Sequence, residues 1–445
     1  MDFSVIILAA GAGTRMRSTQ PKVLHKICGK SMIDLILDSA LKASDDVHVI
    51  LYHQKDIIQH HITEIFGTRQ ITIHTQDHQK YPGTGGALLD SSGTMIETKH
   101  QRVVILNGDM PLIQSQTIQA IANIDAKAVL SIIQMPNPQG YGRVIFADSN
   151  QESIAKVIEQ KDCSTKELQI NIVNAGIYAF DVGILAKNLP LLQNNNAQKE
   201  FYLTDIIGLC VESGIRIAPF YGDKDEFIGV NSKNELALAQ DIKLKLLRDK
   251  AMASGVIMHI PQSIYIEEDV EFEGECEIEN GVRICGKSKI VDSVIKAHSV
   301  IKESVIISSD IGPMAHIRPK SHIQNTHIGN FVETKAATLS GVKAGHLSYL
   351  GDCEIQNGSN VGAGVITCNY DGKQKHKTFI GENVFIGSDT QLVAPVIVQS
   401  NSIIAAGSTI TSDVPSGSLA ISRTKQQNKA GFFSRFFAKN TKNPQ

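Results

Sequence analysis

The chain has 445 residues, is 42% hydrophobic and 20% charged, and carries a formal net charge of −2. This length exceeds one ordinary hydrophobic core, so two or more domains are expected. The near-neutral balance argues against a nucleic-acid binder, which would show a basic field over one domain, and no apolar run approaches the roughly 20 residues that span a bilayer.

The first apolar run, Val5 to Ala10, has no basic leader and stops at Gly11, which makes a poor signal peptide. Seven cysteines (Cys28, Cys163, Cys210, Cys276, Cys285, Cys353, Cys368) are scattered without CxxC spacing. They read as reduced thiols, and the expected compartment is the cytoplasm.

Up to about residue 229, short β-branched runs alternate with longer mixed segments, the pattern of βαβ units. Val5–Leu8, Val47–Leu51, Val103–Leu106 and Val129–Ile133 are predicted strands, and their unbroken apolar character predicts a parallel sheet covered on both faces. A Rossmann-like, doubly wound α/β domain over 1–229 follows. The segment Leu8-Ala9-Ala10-Gly11-Ala12-Gly13-Thr14-Arg15 leaves the first strand at its carboxyl end, where open α/β sheets bind ligands. Small residues there let backbone N–H groups approach phosphate, and Arg15 adds fixed charge. It is neither a P-loop nor the dinucleotide fingerprint, lacking the Gly-Lys-Ser/Thr ending of one and the third glycine of the other. Pro21-Lys22 brings a second cation behind the loop. Gln76, Gly83-Thr84-Gly85 and Asn107-Gly108-Asp109 follow, the last at the end of an apolar strand, where Asp109 is placed to hold Mg²⁺ beside phosphates. Taken alone, Asn-Gly-Asp would read as a turn.

Ser232 with Glu235 forms a capping-box signature, and Leu238, Ile242 and Leu246 continue one face of a linker helix over 230–251, with a stop at Ser254-Gly255. Beyond it the period changes to six. Ile266, Phe272, Ile278, Ile284 and Ile290 keep that spacing, as do Ile380, Ile386, Leu392, Val398, Ile404 and Ile410. Small or β-branched residues (Val384, Thr390, Val396, Ser402, Ser408, Val414) fall four positions after each member of the second run. Period six fits neither helix nor ordinary strand; it predicts a hexapeptide β-helix, here over 252–424. The period is expected to break between Phe331 and Ile380, in a stretch rich in Gly, His, Asn and Tyr that includes His346. The tail, 425–445, is polar and basic apart from Phe432-Phe433 and Phe436-Phe437, and reads as a disordered end or a late docking segment.

As an ordered set, the N-terminal motifs resemble the sugar-1-phosphate nucleotidyltransferase superfamily, whose signature L-x-x-G-x-G-T-R is followed by P-K. The resemblance implies Mg²⁺-dependent attack of a sugar phosphate on the α-phosphorus of UTP. It places Leu8, Ala9, Ala10, Gly11, Lys22, Gln76, Gly83, Thr84, Asn107 and Gly108 around the substrates. Gly142, Glu159 and Asn174 would touch the sugar phosphate, Asp109 and Asn231 would bind metal, and Arg15 and Lys22 would assist catalysis. Two departures stand out: Ala12 where relatives often carry Lys, and Gly86 where many carry His.

From Arg318 to Arg423 the chain resembles the acetyltransferase domain of the bifunctional UDP-N-acetylglucosamine pyrophosphorylase/glucosamine-1-phosphate N-acetyltransferase family, whose prism is a left-handed parallel β-helix. That resemblance implies His346 as general base toward the glucosamine amine. Arg318 and Lys335 would clamp the phosphate, and Tyr349 and Asn360 would position the sugar. Ala363, Asn369, Tyr370, Ser388, Ala406 and Arg423 would contact acetyl-CoA, and Thr334 replaces a more usual Met. A homotrimer and the supply of peptidoglycan and lipopolysaccharide precursors are also implied, with no nucleic-acid partner and no membrane insertion. Two rival readings are a nucleotidyltransferase whose β-helix serves only assembly or regulation, and a non-enzymatic interaction subunit. The Lys343–Asp352 run argues against the first. The joint presence of Arg15, Lys22, Asp109 and Asn231 argues against the second.

Overall fold

The computed structural model describes residues 2–67, 70–196 and 198–437 and separates into two compact units, Met1–Leu247 and Arg248–Gln445. The division falls within a helix, Lys233–Ala253.

In the first unit, β1 (Ser4–Leu8), β2 (Val47–Leu51), β3 (Ile71–Thr75), β4 (Arg102–Asn107), β5 (Ala128–Gln134), β8 (Ile172–Asp181) and β9 (Ile217–Tyr221) make one sheet in the order β9-β5-β8-β4-β1-β2-β3, with β6 (Arg143–Phe146) and β7 (Ile154–Ile158) off its path. Consecutive residues of β1 explain its unbroken apolar run. Val5 and Ile7 enter one core with α1 (Met32–Ala43), α2 (Lys55–Phe66) and α3 (Ser115–Ala122), while Ile6 enters the other with α4 (Val182–Asn188) and α5 (Asp205–Glu212). The sheet is mixed, unlike the parallel sheet expected: β8 runs antiparallel to β4 and β5. The hairpin of β6 and β7 leads into it, so no helical crossover forces the parallel direction. The parallel strands β1, β2, β3 and β4 all end at the same edge, delivering Ala9, Tyr52, Gln76 and Gly108 there.

One half of the expected capping box forms, Ser232 Oγ accepting from Glu235 N, while the Glu235 carboxylate takes Asn231 N in place of Ser232 N. Asn231 N and Ser232 Oγ donate to Glu235 Oε2 (2.7 and 3.0 Å), and Glu235 N donates to Ser232 Oγ (3.3 Å). Of the face the sequence marks, Leu238 and Leu246 are exposed; Ala239 and Leu244 are buried.

The second unit is a left-handed parallel β-helix of three sheets of ten, nine and eight short strands. Ile380, Ile386, Leu392, Val398, Ile404 and Ile410 all point inward, as do Ile266, Ile278, Ile284 and Ile290; Phe272 is half-buried. The expected break needs correction. Inward residues continue without interruption as Ile290, Ile295, Ile301, Ile306, Ile311, Ile317, Ile323, Ile328, Thr334, Leu339, Ala344, Leu350, Ile355, Val361 and Thr367, all buried. Their spacing is an irregular mixture of five and six, which hides the repeat from a search at period six. Ile278 lies against Ile295, Ile295 against Ile311 and Ile386 against Ile404, coil lengths of 17, 16 and 18 residues. Only the coil from Val361 to Ile386 is much longer, at 25 residues, because a loop around Asn369–Lys377 is inserted there.

The hydroxyls at the corners have a definite task. Ser304 N donates to Ser288 Oγ (3.4 Å), Ser321 N to Ser304 Oγ (3.3 Å), Ser309 N to Ser293 Oγ (3.1 Å) and Thr326 N to Ser309 Oγ (3.0 Å). Each buried hydroxyl thus satisfies a backbone donor of the next coil that strand pairing leaves over. Of the tail, Phe432–Phe437 is helical with all four Phe rings exposed, and 438–445 lie outside the described residues.

Candidate functional sites

In the first unit, the loops at the sheet edge enclose a cleft of about 510 Å³ lined by Leu8, Ala9, Ala10, Gly11, Lys22, Gln76, Gly83, Thr84, Asn107, Gly108 and Asp109. Eleven of the expected residues, scattered over a hundred positions, are therefore neighbours. Glycines allow the close approach. A Cβ on Gly108 would lie 2.9 Å from both Ala9 Cβ and Leu8 O, and one on Gly13 (φ 61°) would lie 2.7 Å from Lys22 Cβ. Gln76 donates its amide hydrogens to Tyr81 O and Gly83 O (2.9 and 3.0 Å), which leaves Oε1 as its acceptor.

Lys22 Nζ lies 2.6 Å from Asp109 Oδ2 and 3.0 Å from Asn231 Oδ1, so two hard oxygen donors from distant loops converge on one cation. Val230 N donates to Asp109 O (2.8 Å), and Glu235 holds Asn231 N, which fixes the second loop against the first. Arg15 is exposed on a 3₁₀ turn, Thr14–Met16.

The expected sugar-side residues form a second group. Asn174 N donates to Gly142 O (2.9 Å), and a Cβ on Gly142 would lie 3.6 Å from Glu159 Oε1. Asn174 itself is committed locally, donating to Tyr178 Oη and accepting from Gly176 N (both 2.8 Å), while Asn107 Nδ2 reaches Gly176 O (3.0 Å) and links the group to the cleft. Burial raises the Glu159 carboxyl pKa against the opposing bond from Thr204. Burial likewise raises that of Tyr141, with Glu235 and Asp109 adding to the effect.

Sequence reading missed Tyr52, His78 and Glu200 in the cleft lining. Tyr52 had a signal, since it follows directly on a strand ending at the ligand edge; its ring stacks on His78 at 4.5 Å. The Gly86 departure also has a cause. A Cβ there would lie 2.2 Å from Tyr81 O, so the main chain at Tyr81 fills the space a side chain would need.

In the second unit, register builds the site. Asn330 pairs with His346, Ala344 with Val361, Val361 with Ile386 and Ile386 with Ile404. The residues two further on, His346, Ala363, Ser388 and Ala406, therefore stack along one edge of the prism, one per coil. Asp389 N to Ala363 O (2.8 Å) and Gly407 N to Ser388 O (2.9 Å) tie the column together, and Arg423 Nη1 donates to Ala406 O (2.6 Å). His346 is exposed, and Ser348 Oγ donates to its carbonyl (2.9 Å). Asn360 lies on the sheet that ends at this edge, paired with Lys343 and Phe385.

The next sheet carries the cations. Ile317 pairs with Thr334, which brings Arg318 and Lys335 into adjacent coils. Arg318 donates to Glu333 Oε1 (2.6 Å), and Asn369 Nδ2 reaches Asp352 Oδ2 (2.5 Å) and Tyr349 Oη (3.5 Å). The inserted loop presents exposed Tyr370 and adds Lys375, which sequence reading missed. Hydrogen bonding and charge from Lys375 lower the Lys335 pKa, with Arg318 contributing. Three cations crowded in this way favour a bound anion. Thr334 faces the prism interior, bonded to Ser321 Oγ (3.1 Å), so its departure from Met changes core packing and not the exposed clamp.

A glycine-lined cleft at a sheet edge and a histidine-bearing edge on a hexapeptide prism are the two candidate sites of a transferase. The sequence matches agree. Residues 4–225 match the Nucleotidyl transferase model, and residues 377–412 match the Bacterial transferase hexapeptide (six repeats) model. Proteins named Bifunctional protein GlmU are similar over nearly the full length. That of Helicobacter hepaticus is 55% identical over 99% of both chains; that of Nitratiruptor sp. is 54% identical over 99% of this chain and 100% of its own. The chain belongs to the bifunctional GlmU family, enzymes that combine uridylyl transfer with acetyl transfer. Among the described residues, no helix is long and apolar enough to cross a membrane.

Proposed function

We propose that the prism edge acetylates glucosamine-1-phosphate and that the N-terminal cleft then uridylylates the product, giving UDP-N-acetylglucosamine and pyrophosphate. The observation that carries this division is the convergence of Asp109 and Asn231 on one cation in one unit, with His346 stacked beneath Ala363, Ser388 and Ala406 in the other.

At the prism, Arg318, Lys335 and Lys375 hold the sugar phosphate, and Tyr349 and Asn360 orient the ring. The imidazole of His346 removes a proton from the glucosamine 2-amine, whose lone pair then attacks the thioester carbonyl of acetyl-CoA. The C–N bond forms, the C–S bond breaks and CoA leaves. Ala363, Asn369, Tyr370, Ser388, Ala406 and Arg423 line the path of the CoA arm, and the exposure of the small Ser388 and Ala406 leaves room for it.

In the cleft, Leu8, Ala9, Ala10 and Gly11 receive the nucleotide, the Ala9 N–H itself being held by Ile50 O (2.9 Å). Gln76 Oε1 accepts from the base, which favours uracil with its N3–H over cytosine, and Gly83 and Thr84 close the other side. Gly142, Glu159 and Asn174 seat N-acetylglucosamine-1-phosphate, whose phosphate oxygen attacks the α-phosphorus as pyrophosphate departs. Arg15 and Lys22 bear on the phosphates. Asp109 and Asn231, a carboxylate and an amide oxygen already converging on a cation, suit Mg²⁺, which when bound supplies charge neutralisation at the triphosphate. Positioning and electrostatics carry the step, without a protein nucleophile.

The assembly is a homotrimer in the cytoplasm. Phe385, Ile403 and Leu419 support self-association, since they are exposed in consecutive coils of one sheet and form an apolar column in need of cover. The test is mass spectrometry of the products from glucosamine-1-phosphate, acetyl-CoA, UTP and Mg²⁺. UDP-N-acetylglucosamine, pyrophosphate and free CoA are expected; UTP turnover without CoA release would remove the role assigned to the prism.

A further inference from the structure

We propose that Lys22 is a place-holding cation: in the nucleotide-free protein its ammonium occupies the point where Asp109 and Asn231 converge, and a divalent ion enters only when a triphosphate draws the lysine away. This rests on the reading of Asp109 and Asn231 as metal ligands.

Lys22 Nζ lies 2.6 Å from Asp109 Oδ2 and 3.0 Å from Asn231 Oδ1, and the lysine and aspartate side chains are only 12% and 19% exposed. Lys22 therefore satisfies both donors that a metal would use. A divalent ion on the same two oxygens would sit against the ammonium, and like charges at such range in a poorly solvated cleft repel strongly. Lysine and metal must exclude one another. Asp109 is a half-buried carboxylate that needs a counter-charge, and the lysine supplies it.

The way out is short. Lys22 packs under the glycine-rich loop, where the missing side chain of Gly13 leaves space: a Cβ there would lie 2.7 Å from Lys22 Cβ and 3.3 Å from Cδ. A rotation of the side chain takes the ammonium toward the loop that receives phosphate, and there several phosphate charges replace one carboxylate as its partner. Metal and nucleotide binding are then coupled through one lysine. Metal affinity of the free protein is reduced by the fraction of molecules in which Lys22 is in place.

The experiment is Mn²⁺ binding, followed by electron paramagnetic resonance of the free ion, to the full-length protein without nucleotide. Wild type is compared with Lys22→Met, Lys22→Gln and the double variant Lys22→Met/Asp109→Ala, with an unchanged cooperative denaturant-unfolding transition of the first unit as the control for folding. The proposal expects Lys22→Met and Lys22→Gln to bind Mn²⁺ at least about tenfold more tightly than wild type, and the gain to vanish in the double variant. UTP should narrow the difference between wild type and Lys22→Met. Equal or weaker Mn²⁺ binding by both single variants, still dependent on Asp109, would overturn the place-holding role and leave the metal site standing. A gain that persists without Asp109 would overturn the metal assignment and the proposal with it.

Discussion

The two halves of this enzyme gather their residues in opposite ways. The nucleotide cleft joins loops that are remote in sequence, with Lys22 meeting Asp109 and Asn231 across 87 and 209 residues, and it depends on a sheet that ends four strands at one edge. The proposed acetyl-transfer edge takes one residue from each successive coil, and each is placed by the coil below it. A convergent site fails when any one crossover is disturbed. A stacked site depends chiefly on neighbouring coils, and it absorbs an insertion such as Asn369–Lys377 as an added binding element.

The strongest way to break that comparison is to disable each site alone. His346→Ala is expected to lower acetyl transfer by about 10²–10⁴-fold, the range of a lost general base, with uridylyl transfer unchanged. Asp109→Ala should lower uridylyl transfer by about 10²–10³-fold and spare acetyl transfer. Separate assays of the two half-reactions read both effects; a joint loss in a folded variant would deny the division.

Stability changes sharpen the contrast at smaller scale. Ile323→Ala, which empties a fully buried inward position, should cost about 2–5 kcal/mol in denaturant unfolding of the prism. Gly108→Ala pushes a methyl to within 2.9 Å of Ala9 and Leu8 and should cost about 1–3 kcal/mol in the first unit, with weaker UTP binding. A variant as stable as wild type would show that the two strand ends are not held in contact. Ser304→Ala removes a hydroxyl that serves Lys302 O, Arg318 O and Ser321 N, for about 1–3 kcal/mol, confined to adjacent coils in hydrogen exchange.

The smallest effect concerns Glu159, whose pKa burial raises from 4.5. Below 4.5 the carboxyl is protonated in both folded and unfolded states, so no cost arises. As pH rises through the raised folded value, the native state must hold an unfavourable charge and stability falls. Glu159→Gln should therefore stabilise the protein near neutrality and not in acid, while weakening sugar-phosphate binding. A pH-independent difference would assign the effect to packing.

Much of this was legible in the chain. The cleft was readable because backbone-approach glycines and strand-end polar residues occur in a fixed order. Tyr52 shared that strand-end signal and was passed over, whereas His78 and Glu200 left none, since a lining residue needs only position, and position is set by the fold. In the prism, period six exposed both ends but concealed the middle, where corners tightened by one residue shift the inward set from six to five. Lys375 was hidden for a related reason: its loop interrupts the coil, and only folding back brings it beside Lys335. The antiparallel β8 was invisible because direction within a sheet leaves no mark on an apolar run.

The central claim, that two self-sufficient sites work in sequence, is tested most directly by mixing. Asp109→Ala and His346→Ala, each folded and each unable to make UDP-N-acetylglucosamine from glucosamine-1-phosphate, acetyl-CoA and UTP, are combined in equal amounts. Restored synthesis, with N-acetylglucosamine-1-phosphate passing through solution from one variant to the other, is the expected result. A mixture that stays inactive, although each variant retains its own half-reaction, would contradict independent sites.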